Sequence, residues 1–494
     1  MRNQFRGIAI LTLLLCLSSF KSDDEMESSV RAITQAYAIL EDNAADPVSP
    51  ETAFFQGAIP GMLRRLDPHS VFFDPGQFEQ LKKLQTSTEK GFGSVVSVLP
   101  GRVIVLQTLP GTPSAKSGMA PGDEIVAVNG YQLSRLDMEQ LIQLLTQSRQ
   151  QQAQLLVRCP GNARLLTFVL TPAEMQTPSV ERVFMLKPGI GYLKVTSFDE
   201  KTAELIKDGI EKLGGRNLKG LVLDLRKNPG GLVTSALQTA ALFLQPGQKI
   251  VTVRGRNVAE KSETVPASAT PYTFPLAVLV DERTASASEI VTGALQDHDR
   301  AAVVGDVSFG KGLVQSVYPL SQGTGLALTT ALYYTPSGRS IQKPLDPTQF
   351  ALASVTAHPN GKAEFHTDAG RKVTGGGGIV PDYIVDPPRV TRLRAVLDAS
   401  GSFTNFATEY VAHHKVTEDF EITPGILDDF QVFLAQRDIQ PGVNEWSVER
   451  EFVTNRLKTE IFNQALGVEK GDEVEAQRDP QIQKAVEVLE DNSK

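Results

Sequence analysis

The sequence predicts a multidomain α/β protein. A helical amino-terminal segment is followed by a small, partly open β-barrel with one main helix. Next comes an α/β core with a mixed sheet, and then a helical carboxy-terminal region. Three observations carry this prediction. At 494 residues the chain exceeds what one hydrophobic core organises. Its apolar fraction of 41% and charged fraction of 21% are those of an ordinary globular protein. The texture of the chain changes near residues 86, 175 and 391. A net charge of −8 weighs against nucleic acid as a partner.

Residues 1–22 are read as a targeting segment. Arg2 and Arg6 precede an apolar run at 8–17, too short to span a bilayer comfortably and suited to a secretory signal. Export to the periplasm or cell envelope follows. Left uncleaved, the same run would anchor the chain to a membrane through its amino terminus. Cys16 raises a lipoprotein alternative, opposed by the bulky Leu15 before it. With the signal removed only Cys159 remains, so no internal disulfide can form.

Residues 24–85 read as helical, with Val30, Ile33, Tyr37 and Leu40 near one face. Residues 86–174 hold short β-rich runs, an Asn-Gly turn at 129–130 and an amphipathic helix at 137–147. From 175 to 390 strands and helices alternate, the pattern of a parallel or mixed sheet. Residues 391–494 are polar and helical, with a mobile acidic tail expected from Val468. These helices are candidates for assembling copies of the chain or recruiting an adaptor.

The stretch DERTASASEI at 281–290 combines two chemical readings. Ser286 and Glu289 fit the S-x-x-E capping box that opens many helices. The apolar strand before them would also deliver Ser286 to the carboxyl end of a sheet, beside free amides at a helix start. A serine nucleophile needs a base. His298 falls at the far end of the same helix, and twelve residues of helix separate its ends by about 18 Å. Lys311 in SFGKGLVQ is a second candidate, if burial lowers its pKa enough to leave it neutral. A phosphate loop is the third reading of this stretch, since Gly305 to Lys311 spells G-x-x-x-x-G-K. Gly312 stands where that motif needs Ser or Thr, and strand-like sequence follows.

Taken together, LDPHSVFFDP, GFGSVV, GDEIVAVNG, DLRKNPGG, TASASEI, FGKGLVQ, ALYYTPSGRSIQ and GGGGIVPD occur in the order found in one family. The chain resembles the carboxy-terminal processing (tail-specific) proteases of the S41 serine peptidases over about residues 30–390. The resemblance implies that Ser286 is the nucleophile, Lys311 its base and Gln315 the residue that orients the lysine. A strand would carry residues 311, 313 and 315 on one face. Gly231, with Ala287 and Gly230, is implied to supply amides for the oxyanion. Arg226, Glu289 and Asp297 fall on supporting positions.

Residues 86–174 resemble a PDZ domain, in which Phe92, Gly93 and Ser94 would hold the terminal carboxylate of a bound tail. The implied activity is cleavage of protein or peptide substrates taken by their C-termini, without metal or cofactor. The rival reading is a PDZ scaffold that binds tails in the envelope without cutting them.

Overall fold

The computed structural model describes residues 25–85, 88–160, 164–353, 364–386 and 389–491. The signal expected at 1–22 lies outside them. Among the described residues no helix is long and apolar enough to cross a membrane. The chain divides into two compact units, Met1–Phe78 with Gln315–Thr329 and Leu345–Ala357, and Glu79–Val314 with Thr330–Pro344 and His358–Lys494.

The first unit is helical at residues 25–43, Glu51–Ala58 and Ile59–Leu66. Tyr37 packs its ring 5.1 Å from that of Phe54 and donates its hydroxyl to the Val48 carbonyl. Asp67 organises the turn that follows, because its carboxylate accepts the N–H groups of His69 and Ser70 and the Ser70 hydroxyl. The short strand Val71–Phe73 then pairs antiparallel with residues 325–327.

The second unit is built on a six-stranded sheet. Its strands, in spatial and chain order, are β1 (Val180–Lys187), β2 (Ile190–Val195), β3 (Gly220–Asp224), β4 (Leu276–Val280), β5 (Ala302–Gly305) and β6 (Tyr383–Ile384). β1 is antiparallel to β2 and the rest are parallel. Three crossover helices connect β2 to β5: α1 (Thr202–Lys212), α2 (Val233–Ala241) and α3 (Ala287–Asp297). The strand order advances one way, so crossovers of one hand deliver all three helices to the same face. Leu221, Leu223, Val278, Val280 and Val303 meet Ile206, Ala240 and Ile290 there.

A parallel sheet must bury its other face too. That role falls to α4 (Pro480–Asp491), in the segment expected to be a mobile acidic tail. Ile482, Ala485, Val486 and Leu489 recur at helical spacing and pack on Val222, Ala277, Leu279 and Val304. Val468–Ala476 before it is also helical. Glu487, Glu490 and Asp491 lie on the exposed side of α4.

Residues 88–176 form the expected β-rich module. Strands Thr88–Gly91 and Ala173–Gln176 pair at its ends. A sheet lies between them, with Ser94–Leu99 at its edge. Asp137 opens the main helix, Met138–Ser148, with a reciprocal cap to Gln140. Further helices, Ser402–His413, Pro424–Ala435 and Val443–Ala465, pack around Phe403, Phe406, Phe430 and Leu457.

Leu489 is 1% exposed against the sheet. Leu489→Ala is expected to lower the unfolding free energy by roughly 2–5 kcal/mol. An unchanged denaturation midpoint in urea would mean that α4 does not complete the core.

Candidate functional site

β4 ends at Val280, and Asp281 then starts the turn that leads to Ser286. Thr284 anchors this turn: its hydroxyl lies within bonding distance of the Leu225 carbonyl and the Asp281 carboxylate. Ser286 sits at φ 56° and ψ −114° at the start of α3. This is a conformation that glycine adopts readily and serine does not, at a cost of order 1–3 kcal/mol. The surrounding contacts hold it there.

The strongest of these contacts is Glu289, which is fully buried. Its Oε2 accepts the Ser286 N–H at 2.8 Å and the Lys311 N–H at 2.9 Å. Its Oε1 accepts the Gly310 N–H at 2.7 Å and the Ser308 hydroxyl at 2.5 Å. One carboxylate therefore ties the nucleophile candidate to the base candidate through their main chains. The capping reading of S-x-x-E is correct for the Ser286 amide and accounts for only one of the four bonds. Burial pushes the Glu289 pKa up, against the four donors, which lower it.

Tyr333 closes the same link from the other side. Its hydroxyl lies 2.6 Å from the Lys311 carbonyl and 3.1 Å from that of Ser286. Burial, with the Glu289 charge, keeps this phenol protonated. Tyr333 lies in the ALYYTPSGRSIQ motif, whose spacing carries no sign of this contact. The strand expected to carry Lys311 begins only at Leu313, because the Gly312 N–H goes to the Gln342 side chain instead of a ladder. Lys311 is half-buried in the loop before it. Gln315 belongs to the other unit, where its carboxamide donates to the His69 carbonyl.

The segment after β3 supplies the glycines. Asn228 shapes it: its side chain accepts the Gly230 N–H and donates to the Val195 carbonyl. The Asn228 carbonyl accepts the Ala285 N–H and the Ser288 hydroxyl. Gly230 faces the Ser286 turn so closely that a Cβ would lie 2.9 Å from Ser286 Cβ and 2.8 Å from the Ala287 nitrogen. A Cβ on Gly231 would strike the Phe198 carbonyl oxygen at 2.1 Å. Since the Gly230 N–H is taken by Asn228, it is not a free donor. The N–H groups of Gly231 and Ala287 have no protein acceptor among the described residues.

The remaining candidates lie elsewhere. Arg226 is held between Asp224 and Asp479. Asp297 is at the opposite end of α3, in a buried ion pair with Arg339. His298 follows it with both ring nitrogens engaged, by Asp368 and by the Lys249 carbonyl. Its side chain is 8% exposed.

Phe92, Gly93 and Ser94 lead into the edge strand of the β-rich module. The Phe92 and Gly93 carbonyls accept the Ser114 and Leu109 N–H groups, and Gly93 is left-handed at φ 78°. The N–H groups of Phe92 and Gly93 have no protein acceptor among the described residues.

Comparison with known proteins places the chain in a family. Residues 189–349 match peptidase family S41, and residues 104–158 match a PDZ domain. Carboxy-terminal processing protease CtpB of Bacillus subtilis is 30% identical over 335 residues, 66% of this chain and 69% of that protein. The carboxy-terminal-processing protease of Bartonella bacilliformis is 37% identical over 304 residues, 60% and 68% of the two chains. A solved structure of the photosystem II D1 C-terminal processing protease aligns at 24% identity over 72% of this chain and 92% of its own, with a TM-score of 0.39.

Glu289→Gln is expected to lower peptide cleavage by about 10²-fold, because one N–H would then face an amide NH₂. The raised Glu289 pKa places an acid limb in the wild-type pH–rate profile above the ordinary carboxylate range, and activity should fall as pH drops through it. An unchanged rate in the variant would show that the clamp is dispensable. At the strained position itself, Ser286→Gly should be more stable than Ser286→Ala by about 1 kcal/mol in thermal unfolding.

Proposed function

The chain belongs to peptidase family S41 as a carboxy-terminal processing protease, and on that premise we propose that it cuts peptide bonds with a Ser286–Lys311 dyad after capturing substrates by their C-termini. The observation that carries this reading is the Glu289 carboxylate shared by the Ser286 and Lys311 amides, beside two unengaged N–H groups. Neutral Lys311 takes the hydroxyl proton as Ser286 Oγ attacks the peptide carbonyl. The N–H groups of Gly231 and Ala287 receive the oxyanion. As the C–N bond breaks, the Lys311 ammonium returns a proton to the leaving amine. Water then attacks the acyl-enzyme and gives up a proton to Lys311, releasing the new carboxylate and restoring Ser286.

Capture falls to the PDZ module. Ser94–Leu99 is a sheet edge to which an incoming tail adds as a strand. The Phe92 and Gly93 amides meet the terminal carboxylate. We place the protein outside the cytoplasm, on the strength of the charged and apolar pattern at residues 1–17. Cell fractionation tests that placement.

Ser286→Ala and Lys311→Ala are each expected to abolish cleavage of an unfolded protein while leaving the circular dichroism spectrum unchanged. His298→Ala should cleave within a few-fold of wild type, its ring being occupied elsewhere. Amidating the substrate's C-terminus should slow cleavage. Intact substrate with the wild-type protein would favour the scaffold reading, and full activity in Lys311→Ala would remove the dyad.

A further inference from the structure

Arg226 occupies a half-buried crossing of charges that the cleavage mechanism does not use. Its Nη2 meets Asp224 Oδ2 at 2.7 Å, and its Nε lies 3.1 Å from both Asp224 oxygens. Its Nη1 donates to Asp479 Oδ2 at 2.6 Å and to Gln481 Oε1 at 2.8 Å. The backbone of Arg226 is fixed as well, its N–H by Asp224 and its carbonyl by the Lys194 ammonium at 2.7 Å. Asp224 and Asp479 balance Arg226 and Lys194, two charges against two.

Asp479 stands at the start of α4, where its Oδ1 accepts the N–H groups of Gln481 and Ile482. The carboxylate thus has two functions on two oxygens: one caps the helix and the other holds the arginine. Arg226 in turn begins the segment that shapes the oxyanion donor. Lys227 follows in a left-handed conformation with its N–H on Asp281. Asn228 and Gly230 come next, in the bonds already described, and then Gly231.

We infer that Asp479 is a positioning residue for cleavage, acting through Arg226 to fix the 226–231 segment and so the Gly231 amide. The inference rests on the reading of Gly231 as an oxyanion donor. It extends the catalytic machinery to the carboxy-terminal helix, far beyond the matched segment 189–349. Removing the Asp479 charge leaves Arg226 and Lys194 against Asp224 alone, one positive charge in excess at a largely desolvated site. The cluster borders a cavity of about 520 Å³ lined also by Lys227, Asp281 and Asp306, from which water can reach a released guanidinium. The cost is therefore expected in alignment more than in collapse of the fold.

Asp479→Asn separates the two functions, since asparagine caps helices as well as aspartate does but carries no charge for Arg226. With wild type and Ser286→Ala run alongside on a peptide substrate, Asp479→Asn is expected to lower kcat by roughly tenfold with KM within twofold. Its thermal midpoint should stay above the assay temperature. Affinity for a peptide aldehyde, which mimics the tetrahedral oxyanion, should fall in step with kcat, and Asp479→Glu should regain part of both. Gln481→Ala, which removes the other Nη1 acceptor, should show a smaller kcat loss of the same kind. Wild-type kcat in a folded Asp479→Asn would overturn the inference. So would wild-type kcat in Gln481→Ala if Asp479→Asn does not fold. A wild-type protein that cleaves nothing would instead overturn the protease reading.

Discussion

The arrangement around Ser286 depends on one buried anion. Taking a carboxylate out of water is expensive unless its oxygens are filled with donors. Glu289 is filled by four, which come from two chain segments joined only through α3 and β5. The need to satisfy the anion is therefore what brings the segments together. Tyr333 reinforces the link by reaching the carbonyls of the same two residues. Neither interaction engages the serine hydroxyl or the lysine ammonium. Both fix the backbones that present these two side chains.

The backbone strain at Ser286 belongs to the same logic. A serine at φ 56° persists only where its neighbours over-determine it. Glu289 holds its amide. Asn228 holds the residue before it, and Gly230 leaves it space. Glycine at 230 is required on both counts, a positive φ of its own and contact distance to the nucleophile.

Much of this architecture was legible in the sequence. Apolar runs such as GLVL and LAVLV signal strands covered on both faces, and their alternation with helices signals crossovers. The order of motifs marks Ser286, Lys311 and Gly231 as candidates through a family resemblance. What could not be read was set by long-range contact. No spacing rule relates Glu289 to Ser308 or Gly310, or Asp479 to Arg226. Lys311 was assigned to a strand because apolar residues follow it, whereas Gly312 spends its N–H on Gln342. In α4 the periodic signal of Ile482, Ala485, Val486 and Leu489 was present, but the surrounding acidic residues suggested a solvated tail.

The covering of the sheet by α4 also has a consequence for the order of events during synthesis. Ser286 and Lys311 leave the ribosome well before Pro480–Asp491, since chains are made from the amino end. Until α4 arrives, Val222, Ala277, Leu279 and Val304 face solvent, and Arg226 has only half of its partners. A nascent chain thus carries Ser286 and Lys311 before one face of their sheet is covered. The fold itself imposes a delay between making Ser286 and completing the core beneath it.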